Sequence, residues 1–106
     1  MGHLLGTTEH MILLAIVRLG DGAYGTSIIE ALEGATGRAP SSGSLSTSLD
    51  RMEAKGLVTS RYVKGGHARG GHPRRVVRLN PSGKVALQRT GAALRWLGED
   101  ATQPTP

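Results

Sequence analysis

Residues 61–78 hold six basic side chains (Arg61, Lys64, Arg69, Arg74, Arg75, Arg78) and no acidic one. A glycine-rich tip, residues 65–71, lies between them. Strand-like alternation flanks the tip, through Val58, Ser60 and Tyr62 on one side and Val76, Val77 and Leu79 on the other. Period-two patterning on both sides of a glycine cluster reads as a β-hairpin with a cationic tip. That hairpin constrains the rest of the chain, because two strands alone are marginal in water and need helices to cover one face.

The chain has 106 residues, which suits one compact domain. It contains no Phe, two Tyr and one Trp, so its core must be small and aliphatic. With no Cys, neither a disulfide framework nor a thiolate metal site is available, a composition that fits a reducing cytoplasm. The apolar run at residues 11–17 is far shorter than the roughly 20 residues that cross a bilayer, and it lacks the flanks of a secretory signal. It reads as a buried helix. Charge is segregated: residues 1–50 carry two basic against five acidic side chains, and residues 51–106 carry eleven against three. A basic half on a small domain suits a polyanion, although a basic surface that merely keeps the chain in solution reads the same way.

Gly6-Thr7-Thr8-Glu9 predicts a helix start with a hydroxyl cap and an acid in the first turn, running to Leu19 and stopping at Gly20-Asp21-Gly22. Its apolar residues cover more than one stripe, so a second partner is expected, either another helix or a second subunit. Ala23-Tyr24-Gly25-Thr26 opens the next helix, with Ile28, Ile29, Leu32 and Ala35 inward and a turn at residues 36–40. Ser41 or Ser42 caps a third helix that runs to Lys55 and stops at Gly56, with Leu45, Leu49 and Met52 on the core side. Strands are predicted at residues 57–64 and 75–79. Asn80-Pro81-Ser82-Gly83 then starts a last helix, with Val85, Leu87, Leu94 and Leu97 inward and an end near Gly98. Gly91 weakens that helix by about 1 kcal/mol unless it permits a close crossing. Residues 99–106 read as a disordered tail, leaving one domain over residues 1–98. The expected fold is mainly α with a small β-hairpin: a winged helix-turn-helix with a three-helix core, a wing and one C-terminal helix.

On the third helix, Ser44, Thr47, Ser48 and Arg51 are spaced i, i+3, i+4, i+7 and share one polar face. Side chains this short let a helix sit deep in a major groove, where hydroxyl and guanidinium groups reach base edges. A solvated polar face explains the same four residues without DNA. The helix N-terminus at Ser42 offers free N–H groups to a phosphate. In the hairpin, glycine lets backbone approach a phosphate, and arginine is drawn to the negative potential of a minor groove. Lys64, Arg69, Arg74 and Arg75 are the expected wing contacts, with Tyr24 and Thr26 adding phosphate contacts at the second helix.

Other chemistries find little support. His3, His10, His67 and His72 do not form a convergent ligand set, so no metal and no cofactor is expected. His67 and His72 more simply add pH-dependent phosphate contacts. Ser41-Ser42-Gly43-Ser44 lacks the strand–turn–helix setting of a nucleophile elbow, and the glycine clusters are not a nucleotide-binding P-loop. No catalytic residues are expected; Glu30, Glu33, Asp50 and Glu53 read as helix-surface charges.

Residues 43–58 (GSLSTSLDRMEAKGLV) resemble the recognition-helix signature of PadR-like transcriptional regulators. Residues 69–75 (RGGHPRR) and 77–83 (VRLNPSG) resemble that family's wing, second strand and last-helix start. Residues 9–16 and 23–25 are similar as well. The likeness spans residues 5–90. It implies a dimeric winged-helix protein, usually a repressor, that binds an inverted repeat. It also implies the short subgroup without a separate C-terminal domain, dimerising through the first and last helices. Met11, Leu14, Leu87, Leu94 and Leu97 are then the dimerisation candidates. The family pattern has Tyr where Ser46 stands, an aromatic where Val77 stands and Thr where Asn80 stands.

The expectation is therefore a cytoplasmic homodimer that binds double-stranded DNA and regulates transcription. The alternative is a winged-helix protein–protein adaptor, which would tolerate acids in the hairpin and keep exposed apolar anchors there. A small-molecule effector of unknown identity, with Trp96 as a candidate wall of a dimer cleft, is a third and partial reading; Trp96 also reads as ordinary packing.

Overall fold

A computed structural model describes residues 4–64 and 73–102, with backbone alone for residues 99–102. The expectations at His67, Arg69 and His72 lie outside the described residues. Among those described, four α-helices and one antiparallel hairpin follow in the order α1 (Thr7–Leu19), a 3-10 turn (Gly20–Gly22), α2 (Gly25–Thr36), α3 (Ser42–Ala54), β1 (Val58–Val63), β2 (Arg74–Leu79) and α4 (Pro81–Thr102).

Helix α1 begins one residue earlier than a threonine cap would allow. Gly6 is the N-cap, and the Glu9 carboxylate accepts the Gly6 N–H at 3.2 Å, so the acid does the capping and the hydroxyls do not. Ser41 caps α3 as expected, its Oγ accepting the Ser44 N–H at 3.0 Å, a contact worth about 1 kcal/mol. Gly56 stands just past α3 at φ +76°, where a side chain would be strained, and turns the chain into β1.

Ile12, Leu13 and Ile16 from α1, Ile28 and Leu32 from α2, Leu45, Leu49 and Met52 from α3, and Val58 and Val77 from the hairpin form one aliphatic core. Each such side chain contributes about 1.5–3 kcal/mol when fully buried. The four inward expectations on α2 hold in part: Ile28 and Leu32 are buried, Ile29 is half-buried, and Ala35 is exposed. Val77 is fully buried at a position too enclosed for added bulk without rearrangement.

The hairpin pairs Val58 with Leu79 at its base and Val63 with Arg74 at its far end. A third element joins it that strand alternation does not reveal. The Ala23 carbonyl accepts the Val77 N–H at 2.9 Å and Tyr24 bridges Val76, so the segment before α2 lies along the open edge of β2.

Helix α4 corrects the sequence reading most. Its covered face carries Gly83, Ala86, Leu87 and Thr90, at i, i+3, i+4 and i+7, whereas Val85, Leu94 and Leu97 are exposed. Thr90 Oγ1 accepts the Leu5 N–H at 2.9 Å. Its start is knotted to the end of α3. The Asn80 N–H donates to the Leu57 carbonyl at 2.9 Å, and Asn80 Nδ2 and Ser82 Oγ both donate to the Gly56 carbonyl at 3.0 Å. Thr59 Oγ1 donates to Asn80 Oδ1 at 2.6 Å, so the Asn80 amide ties β1 and the α3 turn together, while the Asn80 carbonyl accepts the Lys84 N–H at 3.0 Å at the start of α4. The helix continues to Thr102, beyond the end expected near Gly98.

Candidate nucleic-acid interface

Helix periodicity puts Leu45, Leu49 and Met52 under the helix and leaves the opposite face of α3 outward. Ser44, Thr47 and Arg51 are exposed there and Ser48 is half-buried. Thr47 Oγ1 donates back to the Gly43 carbonyl at 3.0 Å, leaving its oxygen lone pairs outward. The four residues therefore lie on one surface as the sequence predicts.

Two clefts flank that surface. The first, about 510 Å³, separates α3 from the start of α1 and is lined by Thr7, Thr8, Glu9, Ser44, Ser48, Arg51 and Lys55. Lys55 Nζ lies 2.8 Å from Glu9 Oε2. The hydrogen bond from Lys55 holds the Glu9 carboxyl below its ordinary value of 4.5, aided by the Gly6 N–H and opposed by partial burial. Sequence reading missed both residues. The signal for Lys55 was present, since 44, 48, 51 and 55 continue one stripe; Glu9, 46 positions away, had none.

The second cleft, about 470 Å³, lies between the starts of α2 and α3 and the hairpin. Gly25, Thr26, Ser42, Gly43, Ser46, Tyr62, Arg74 and Arg75 are among its walls. Two helix N-termini converge here beside Arg74, an arrangement that favours an anion. The Arg74 guanidinium carbon lies 3.9 Å from the centroid of the Tyr24 ring, stacked over its face. Thr26 and Ser42 are exposed. Lys64 is exposed at the end of β1, and Tyr62 on the same strand is 67% exposed.

Arg75 departs from the other candidates. Its side chain is 13% exposed and makes an ion pair with Asp50 Oδ1 at 2.9 Å. Strand alternation explains the difference: Arg75 shares the inward face of β2 with Val77, while Arg74 and Arg78 share the outer face. Arg78 is exposed and lies 3.7 Å from the open carboxylate of Asp21, a pair of little energetic weight. Among the described residues, no cluster of three His, Asp or Glu side chains is placed to hold a metal ion. None of the described helices is long and apolar enough to cross a membrane.

Solved structures share this arrangement. A PadR-like transcription factor from Bacteroides fragilis superposes with a TM-score of 0.74 at 27% identity, the match covering 91% of this chain and 87% of that one. A PadR family transcription regulator from Clostridium difficile R20291 matches with a TM-score of 0.70 at 23% identity, over 89% of this chain and 93% of the other. A third, from Eggerthella lenta DSM 2243, gives 0.68 at 23% identity, over 89% and 80%. No protein of curated function matches the chain. The sequence profile of the transcriptional regulator PadR-like family matches residues 13–89. The chain thus belongs to the PadR-like family of transcriptional regulators, and the activity this membership implies is DNA-binding transcription regulation.

Proposed function

We propose that this chain is a cytoplasmic, homodimeric repressor that recognises an inverted repeat in double-stranded DNA. Two copies of α3 enter successive major grooves, with half-sites about 34–36 Å apart. Ser44, Thr47, Ser48 and Arg51 meet base edges or nearby phosphates. Lys64, Arg69 and Arg74 hold the wing on the backbone, and Tyr24, Thr26 and Ser42 add contacts from the two helix starts.

The observation that carries the reading is the exposure of Ser44, Thr47 and Arg51 on α3, next to the cleft in which Ser42 and Ser46 of the same helix meet half-buried Arg74 of the hairpin. A dimer is supported by the apolar surface of α4, where Leu94, Trp96 and Leu97 are 54%, 66% and 58% exposed. Leu14 on α1 is 49% exposed and shares with Leu87, Gly91 and Leu94 a cleft that His10, Gln88 and Arg95 also line, so the two helices present one partly apolar strip. Met11 lies beside it, half-buried. Trp96 is exposed as well, but two positions from Leu94 it lies on a different side of α4.

Duplexes selected from a random pool and tested by mobility shift over a range of salt provide the test. The expected outcome is a palindromic site, a two-to-one protein-to-duplex ratio and affinity that falls steeply with salt. A protein that stays monomeric and ignores duplex DNA even at low ionic strength would overturn the proposal and favour the adaptor reading.

A further inference from the structure

Arg74 and Arg75 are adjacent cations at the far end of the hairpin, yet their surroundings differ. The Arg75 side chain passes beneath the hairpin to α3. Its Nη2 lies 2.9 Å from Asp50 Oδ1 and 3.7 Å from Glu53 Oε1, and its Nη1 lies 3.4 Å from Ser46 Oγ. Its Nε donates to Ser60 Oγ on β1 at 3.0 Å. Ser46, Asp50 and Glu53 are spaced i, i+4, i+7, one stripe of the recognition helix adjoining the base-facing stripe. A single guanidinium thus joins β2, β1 and α3 where the aliphatic core has run out.

Two consequences follow. A planar fork with fixed donor directions sets the distance and tilt between α3 and the hairpin more tightly than apolar contact does. It also offsets two carboxylates on the helix that would otherwise repel phosphates. The small Ser46 side chain leaves room for this approach.

We propose that Arg75 is a positioning residue for DNA recognition: it locks the wing onto the recognition helix so that both reach their grooves together, and it does not itself neutralise a phosphate. The inference rests on the DNA-binding reading above. The Arg75→Lys variant separates the two roles because it retains the charge but cannot bridge Asp50, Ser46 and Ser60 at once.

The probes are a duplex selected with the wild-type protein from a random pool and poly(dI-dC) as non-specific duplex. For Arg75→Lys we expect specific affinity to fall about tenfold, with non-specific affinity and salt slope unchanged. The hydroxyl-radical footprint should fade at the wing flank and persist where α3 reads the major groove. Ser60→Ala, which alters no charge, serves as a second variant should Arg75→Lys not fold. It should weaken the same flank by about threefold in affinity, again with an unchanged slope. If Arg75→Lys and Ser60→Ala both bind and footprint like wild type, the proposal is overturned. It is equally overturned if Arg75→Gln lowers the salt slope by about one while the wing footprint stays, the signature of a phosphate contact. Wild-type protein that binds neither duplex overturns the DNA-binding reading itself, a result distinguishable from both.

Discussion

Gly83 is the position where one methyl group should do most damage. It lies in the first turn of α4, buried against the turn that follows the recognition helix. A Cβ there would overlap the Leu57 carbonyl oxygen and stand 2.7 Å from Leu79 Cδ1 and 3.1 Å from the Leu57 carbonyl carbon. The obstacle is backbone, so it cannot swing aside as a side-chain tip would. Moving the Leu57 carbonyl also disturbs the hydrogen bond it accepts from Asn80 at 2.9 Å. Overpacking costs about 1–3 kcal/mol and a lost hydrogen bond about 1 kcal/mol. Alanine's higher helix propensity returns about 1 kcal/mol. The net expectation for Gly83→Ala is a loss of about 2 kcal/mol, or about 8–16 °C in Tm for a chain of this size. Gly34→Ala is the internal comparison: it is also helical, but a Cβ there meets nothing within 4 Å. That variant should gain up to about 1 kcal/mol. Thermal unfolding followed by circular dichroism, at one protomer concentration because association shifts Tm, measures both. A Gly83→Ala protein as stable as Gly34→Ala would refute the close approach of α4 to Leu57.

Three further outcomes are expected. The depressed Glu9 carboxyl binds its proton less readily in the folded chain than in the unfolded one. Its contribution to stability is therefore complete above the ordinary glutamate value and disappears as pH falls through the lower folded value. Glu9→Gln should flatten the stability–pH curve in that acid window and leave the curve's shape near neutrality unchanged. Arg74→Ala should weaken binding to all duplex sequences alike and reduce the salt slope by about one, measured by titration at several salt concentrations. Paired Leu94→Asp and Leu97→Asp substitutions should convert dimer to monomer in sedimentation while leaving helix content intact, because both side chains are exposed in the protomer. If the doubly substituted protein stays dimeric, the apolar strip of α4 is not the interface.

The architecture was legible from the chain because two periodicities are local. The polar stripe of α3 follows from 3.6-residue spacing, the hairpin from alternation around glycine, and the α3 boundaries from Ser41 and Gly56. The same reasoning placed Ser44, Thr47, Ser48 and Arg51 on one surface. Periodicity groups residues by face; it does not say which face a neighbour will cover. On α4 the leucines lie to one side, but docking is decided by the absent side chain of Gly83, which lets the helix sit on the Leu57 carbonyl and turns Leu94 and Leu97 outward. On β2 alternation separates Arg74 from Arg75, but only the packed hairpin shows that the inward residue meets Asp50, Glu53 and Ser60. The Lys55–Glu9 pair and the Ala23–Val77 hydrogen bond likewise join distant segments. The sequence by itself determined the elements and the chemistry each face carries. Tertiary packing alone decided which of those faces is covered, because burial and ion pairing depend on neighbours that chain order does not specify.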